Sequence, residues 1–173
     1  MDSFLRVVGN LLPYHLLSYS ALLGTELYQS FINTKICYRY LPMKEFIALQ
    51  KGLFPVYFGT QLGLTALTAA TYPPYSVLSL VKYPWSAAPL AVVALAGSLN
   101  WFIYGPQTTT AALVRRALQE SENTNPDSDG LKLQRANRNF ARNHAMTIHL
   151  NAIAMVATVV YGFSLSAKLV AGV

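Results

Sequence analysis

The chain has 173 residues, 53% of them apolar and only 12% charged, and its mean hydropathy is +0.33; this composition is shifted away from that of soluble globular domains. Its formal net charge of +6 does not indicate nucleic-acid binding, because the basic residues sit between apolar segments. No phosphate-binding loop, paired-cysteine metal motif, nucleophile elbow or pair of carboxylates is present, so the expectation is a protein that is not an enzyme.

The N-terminal stretch "MDSFLRVVGN" places one arginine before an apolar run. It lacks a small-residue cleavage site and the run continues to span length, so an uncleaved membrane helix is predicted over residues 11–33. Further spans are predicted over 52–72, 87–104 and 146–167. Each is long enough for a ~30 Å hydrocarbon layer at ~1.5 Å of helix rise per residue. A soluble bundle would need polar outer faces, which residues 90–97 and 153–160 do not offer. The predicted fold is all-α: one domain, 1–173, a polytopic bundle of four transmembrane helices with an amphipathic helical cytosolic loop between the third and fourth.

At 100° per residue His15, Tyr19, Glu26, Ser30 and Asn33 fall on one narrow face of the first span. The connection that follows, "CYRYLPMKEFIALQKGLFPVYF", turns at Leu41-Pro42 and resumes as a helix with Phe46, Leu49 and Leu53 on one face. Pro42 suits a first helical turn and Pro55 predicts a kink. Cys37 is the single cysteine and cannot form an internal disulfide. Span two offers Tyr57, Gln61, Thr65 and Thr68 to the interior. The loop "TYPPYSVLSLVKYPW" carries Tyr72, Tyr75, Tyr83 and Trp85, a composition expected at headgroup depth.

Span three contributes Asn100 and Tyr104. At its end Gly105 is expected to take a left-handed cap and Pro106 to begin a new helix, a structural turn. An amphipathic helix is predicted over 107–120, a polar, turn-rich and mobile stretch over 120–130, and helix again from about 131. Span four contributes His149, Asn151 and Thr158, with His144 and His149 as anchors at the inner boundary. Gly24, Gly59, Gly63 and Gly97 are expected to let helices approach closely, Gly59 and Gly63 forming a Gly-x-x-x-Gly pair.

Ten of the 13 Lys and Arg fall between spans one and two (Lys35, Arg39, Lys44, Lys51) or three and four (Arg115, Arg116, Lys132, Arg135, Arg138, Arg142), against Arg6, Lys82 and Lys168 elsewhere. The positive-inside rule then puts both basic loops in the cytosol and both termini outside or in a lumen. An endomembrane or plasma membrane is favoured over a mitochondrial one.

The segments "YHLLSYSALLGTELYQSF", "LPMKEFIALQKGLFPVYF", "LNWFIYGPQTTTAALVRR" and "NFARNHAMTIHLNAIAMV" resemble, in order and spacing, those of the transmembrane protein 205 family. The resemblance covers nearly the whole chain and implies a four-helix membrane fold, without an established reaction. The chain departs from the family pattern at Met43, where a basic residue is usual, and at Glu26, where a neutral amide is. A fainter similarity links the first span to bacterial four-span proteins of haem synthesis and copper handling, in which a histidine opens helix one; here that would be His15.

Intramembrane polar residues face protein or water. Counting ~1.5 Å per residue from the inner ends puts Glu26 and Gln61 roughly 12 to 14 Å deep and Asn100 and Asn151 roughly 6 to 8 Å deep. The expected intramembrane cluster is therefore Glu26, Ser30, Asn33, Tyr57, Gln61, Asn100 and Asn151. The leading functional expectation is a multi-pass protein that transports, senses or assists movement of a small solute or ion through an inner polar cavity. One alternative is a non-catalytic scaffold or complex subunit; a second is a haem- or metal-binding redox protein using His15. No cofactor is expected under the first two. The expected partners are the lipid bilayer, other membrane proteins or a second copy, and not nucleic acid, with Arg115, Arg116, Arg135, Arg138 and Arg142 contacting anionic lipid or a partner.

Overall fold

In the computed structural model, residues 8–124 and 130–171 are described. Arg6 and the centre of the turn-rich stretch, 125–129, lie outside the described residues.

Helix α1, Leu11–Leu27, starts where the Asn10 side chain accepts the Leu12 amide at 2.9 Å, a side-chain cap for an otherwise orphaned donor. The chain then widens into a π-helical turn, Tyr28–Asn33, and continues as α2, Thr34–Tyr40. Leu41 and Pro42 are extended, and α3 runs from Met43 to Ala70. Pro42 thus sits just before the helix rather than inside its first turn, and the helix continues through Pro55. A short helix, α4 (Val77–Val81), precedes α5, Pro84–Leu99, which opens on a proline whose missing N–H costs nothing there. A second π-helical turn, Asn100–Tyr104, leads into α6, Gly105–Thr124. The last helix, α7, spans Gly130–Val170. No strand occurs among the described residues.

The predicted turn at Gly105-Pro106 is not formed. Gly105 has φ −60° and donates to the Asn100 carbonyl five residues back, so the backbone passes from π turn to α-helix without a break. The widened turn accommodates Pro106, which has no N–H to return to the preceding turn. It also explains the glycine: a Cβ at position 105 would lie 2.5 Å from the Asn100 carbonyl oxygen.

Helices α1, α3, α5 and α7 form a four-membered ring in which α1 also touches α7, and α6 folds back along α7. The end holding Tyr72 and Lys168 is called here the Lys168 end, the opposite one the Arg142 end. Burial is inverted relative to a water-soluble protein. His15, Glu26, Gln61, Thr68 and Thr158 are fully buried, whereas Leu17, Leu95, Val156 and Phe163 are 60% or more exposed. Among the described residues two helices, Pro84–Glu122 and Gly130–Val170, are long and apolar enough to cross a membrane, yet only 33% and 22% of their most apolar stretches are buried. A soluble protein would hide such stretches, so this surface is one suited to lipid.

Apolar packing is concentrated toward the Lys168 end, where Tyr72, Leu80, Leu90, Tyr161 and Leu165 cluster, with Val93, Ala96, Ala154 and Ala157 below. Of the aromatic residues of the 72–86 loop, Tyr72 is a core residue at 3% exposure, while Tyr75 and Trp85 face outward. Of the glycines expected at close contacts, Gly59 meets the Trp101 ring and Gly97 meets Gln61 and Leu62, but Gly24 and Gly63 have nothing within 4 Å. The Gly-x-x-x-Gly pair is therefore not a helix contact within this chain. Gly162, which sequence spacing did not single out, receives the Tyr19 hydroxyl against its Cα.

Candidate functional site

The polar residues of the bundle interior fall into layers along its axis. At the Lys168 end the first layer is built around His15. Its Nδ1 lies 2.9 Å from the Thr68 carbonyl, which can only accept, so that nitrogen carries the proton. Nε2 then accepts from the Tyr161 hydroxyl at 2.6 Å. Ser18, Thr68 and Thr71 close the layer through bonds to one another and to helix carbonyls. The Tyr72 ring meets His15 edge-on at 5.5 Å; its hydroxyl donates to Ser86 and accepts from Lys168, and Ser86 in turn meets Ser164 at 3.0 Å. The Lys168 ammonium also sits 3.6 Å over the Tyr83 ring. Both ring nitrogens of His15 are thus hydrogen-bonded to protein partners. Among the described residues no three metal-ligating side chains converge.

Glu26 of α1 occupies the second layer. Gln61 of α3 donates from Nε2 to its Oε1 at 2.7 Å, and both residues are fully buried. The Thr158 hydroxyl of α7 lies beside the carboxyl and donates to the Ala154 carbonyl. Thr65 bonds back to the Gln61 carbonyl. Two oxygens in this layer, Glu26 Oε2 and Gln61 Oε1, are buried and have no hydrogen-bond partner. Gln61 Oε1 faces α5 at Gly97, where a Cβ would lie 3.0 Å away. A side chain at position 97 would therefore press on that oxygen.

One helical turn nearer the Arg142 end, the Tyr57 hydroxyl donates to Asn151 Oδ1 at 2.7 Å and the Asn151 amide donates to Ser30 at 2.8 Å. This links α3, α7 and the first π turn. Asn100, in the second π turn, donates to the Thr147 carbonyl, and its Oδ1 is buried without a partner. Thr147 in turn meets Thr108 of α6 at 3.1 Å. Of the four residues expected to converge, Glu26 and Gln61 are in direct contact, while Asn151 and Asn100 each bond to other partners.

Asn33 is half-buried and its amide donates to Gln29 Oε1 within the π turn. Gln29 is the buried one, and its carbonyl accepts both the Thr34 amide and the Thr34 hydroxyl. A π turn inserts a residue, so an angular count at 100° fails beyond Leu27. Gln29, Ser18 and Tyr161 were not foreseen for that reason and because serine and tyrosine occur throughout the apolar segments.

At the Arg142 end, Arg115 lies 4.4 Å over the Phe140 ring and His144 stacks on the same ring at 5.2 Å. His144 lies outside the apolar segment 146–167; partial burial, and then the nearby Arg115 charge, hold its imidazole below the usual histidine range. Arg116 pairs with Glu120 at 2.8 Å. Arg135, Arg138 and Arg142 are exposed, as is His149, whose Nδ1 lies 2.6 Å from the Ala145 carbonyl.

Residues 17–117 match the family model described as Domain of unknown function (DUF4149). The chain belongs to that family. It is 54% identical over 172 residues, 99% of both chains, to xanthocillin biosynthesis cluster protein D of Aspergillus fumigatus. It is 31% identical over 110 residues, 61% of this chain and 57% of the relative, to transmembrane protein 205 of Danio rerio. The resemblance read from the four sequence segments is thus a family relationship, and with the apolar helices it makes this an integral membrane protein. No solved structure matches.

Proposed function

We propose that the chain is a four-span, non-catalytic membrane protein that holds and passes a proton or small cation at the Glu26–Gln61 pair, and through it assists movement of a small solute. The spans are 11–33, 52–72, 87–104 and 146–167, with the Arg142 end and its basic connections in the cytosol. The observation that carries the reading is the pair of buried acceptor oxygens, Glu26 Oε2 and Gln61 Oε1, that make no hydrogen bond, the neighbouring Thr158 hydroxyl being given to the Ala154 carbonyl. A buried acceptor left without a donor costs about 1 to 3 kcal/mol, more where it is charged. A proton or a cation at Glu26 supplies what its bare oxygen lacks. Intramembrane acids elsewhere mark ion pathways for this reason.

Two π turns flank the layer, one beginning two residues after Glu26 and one at Asn100; such turns recur at functional sites because they free backbone groups and aim side chains. The solute belongs to a small-molecule biosynthetic pathway. Support for that comes from the full-length relative, which is named for a xanthocillin biosynthesis cluster.

Proteoliposomes carrying an internal pH dye, driven by a potassium diffusion potential, test the reading. Wild-type protein is expected to acidify the lumen faster than protein-free vesicles, and Glu26→Gln to remove at least about nine-tenths of that excess rate, as loss of an obligatory carrier site does. Equal rates for wild type and Glu26→Gln would refute it.

A further inference from the structure

Between α6 and α7, at the Arg142 end, lies a cleft of about 650 Å³. Gln107 and Thr110 of α6 and Asn139, Arg142 and Asn143 of α7 give it a polar floor, and Ile103 and Val114 an apolar wall. Among the described residues no carboxylate lines it. Of the five arginines on α6 and α7, Arg142 alone lines the cleft. Arg115 is spent on the Phe140 ring and Arg116 on Glu120, and no carboxylate among the described residues lies within ion-pair distance of Arg142.

A guanidinium fork beside neutral amide and hydroxyl donors, with no competing acid, is the donor set that recognises phosphate oxygens. The apolar wall includes Ile103, 41% exposed, in the turn that continues the apolar helix α5. A ligand that satisfies both parts is anionic at one end and hydrocarbon at the other.

We infer that this cleft binds the phosphodiester headgroup of an anionic phospholipid, Arg142 holding the phosphate and the acyl chains leaving the cleft past Ile103. The inference rests on the membrane reading of α5 and α7. It assigns Arg142 a role that Arg135 and Arg138, exposed on the same helix but away from the cleft, do not share.

Protein purified in neutral detergent and stripped of lipid is titrated with phosphatidylglycerol and with phosphatidylcholine, bound lipid being read by native mass spectrometry. Wild-type protein is expected to bind phosphatidylglycerol at least about tenfold more tightly than phosphatidylcholine, the worth of one charge-assisted contact. Arg142→Gln should lose that preference and Arg135→Gln keep it. Equal affinity for the two lipids in wild type, or an undiminished preference in Arg142→Gln, would overturn the inference. So would competition by glycerophosphoglycerol at the same concentration as the intact lipid, which would assign the cleft to a soluble phosphoester. Should Arg142→Gln not fold, Arg142→Lys replaces it, with a reduced but salt-sensitive preference expected and an unchanged one contradicting. Partition in a clouding detergent tests the membrane reading alone: recovery in the aqueous phase removes that reading without touching the headgroup preference.

Discussion

Glu26 has one carboxylate oxygen on an amide and the other on nothing, and Gln61 mirrors it with one group bonded and one bare. Gln61→Leu removes the amide donor of a buried carboxyl and is expected to lower stability by about 1 to 3 kcal/mol, read as thermal unfolding in detergent. Replacing both partners, Glu26→Leu with Gln61→Leu, should recover most of that loss, because two apolar groups leave nothing unsatisfied. A double variant weaker than Gln61→Leu would mean that the layer contributes to packing and not to polar pairing. At the next layer His15→Phe strands the Tyr161 hydroxyl and is expected to cost about 1 to 3 kcal/mol in the same assay. Much of this was legible in the sequence, since Glu26 and Gln61 lie at matching depth on adjacent spans. The His15 layer was less so. A lone histidine in an apolar helix reads equally as a ligand or as a bonded core residue, and only the position of Tyr161, 146 residues away, decides between them.

The elements carry a lesson about what helix periodicity conceals. Spacing predicts the helices well because apolar runs and helix starts such as Asn10 and Pro84 are local signals. It does not predict the π turns, which depend on bonds between residues five apart and on a glycine that admits a carbonyl. Gly-Pro after an aromatic run reads as a stop, and here it is the exit of a widened turn. Gly105→Ala must displace the Asn100 carbonyl and is expected to destabilise the fold by about 1 to 3 kcal/mol, as overpacking does. Gly63→Ala meets open space and should be neutral or stabilising by up to about 1 kcal/mol through helix propensity. Thermal unfolding of the two variants side by side checks the contrast, and similar losses in both would contradict the assignment of the second π turn.

The α6–α7 hairpin adds a pH dependence. The His144 value is held below its ordinary 6.5 by burial and by Arg115, so the neutral form is the one the fold accommodates. Its contribution is complete above about pH 6.5 and is lost as pH falls through the lowered folded-state value. Amide exchange in α6 and in the first turns of α7 should therefore accelerate on acidification below pH 6.5 in wild type, and less so in His144→Gln. Equal acceleration in both would place the effect elsewhere.

Among the described residues of the bundle, many polar side chains face inward and many large apolar ones outward, and this inversion joins the separate observations. It accounts for a buried set that includes His15, Glu26, Gln61, Asn100 and Thr158 beside a surface of leucine, valine and phenylalanine. The same inversion makes an unsatisfied oxygen at the centre consequential, since no bulk water reaches it to take the place of a partner. The measurement that bears most directly on Glu26 is infrared difference spectroscopy of the reconstituted protein, wild type minus Glu26→Gln, recorded as bulk pH and then sodium concentration are changed. A carboxyl carbonyl band that belongs to Glu26 and fades as pH or sodium rises is predicted, because the site exchanges its proton or cation with solution. A Glu26 band that stays fixed under both changes would show a sealed structural pair and contradict the account.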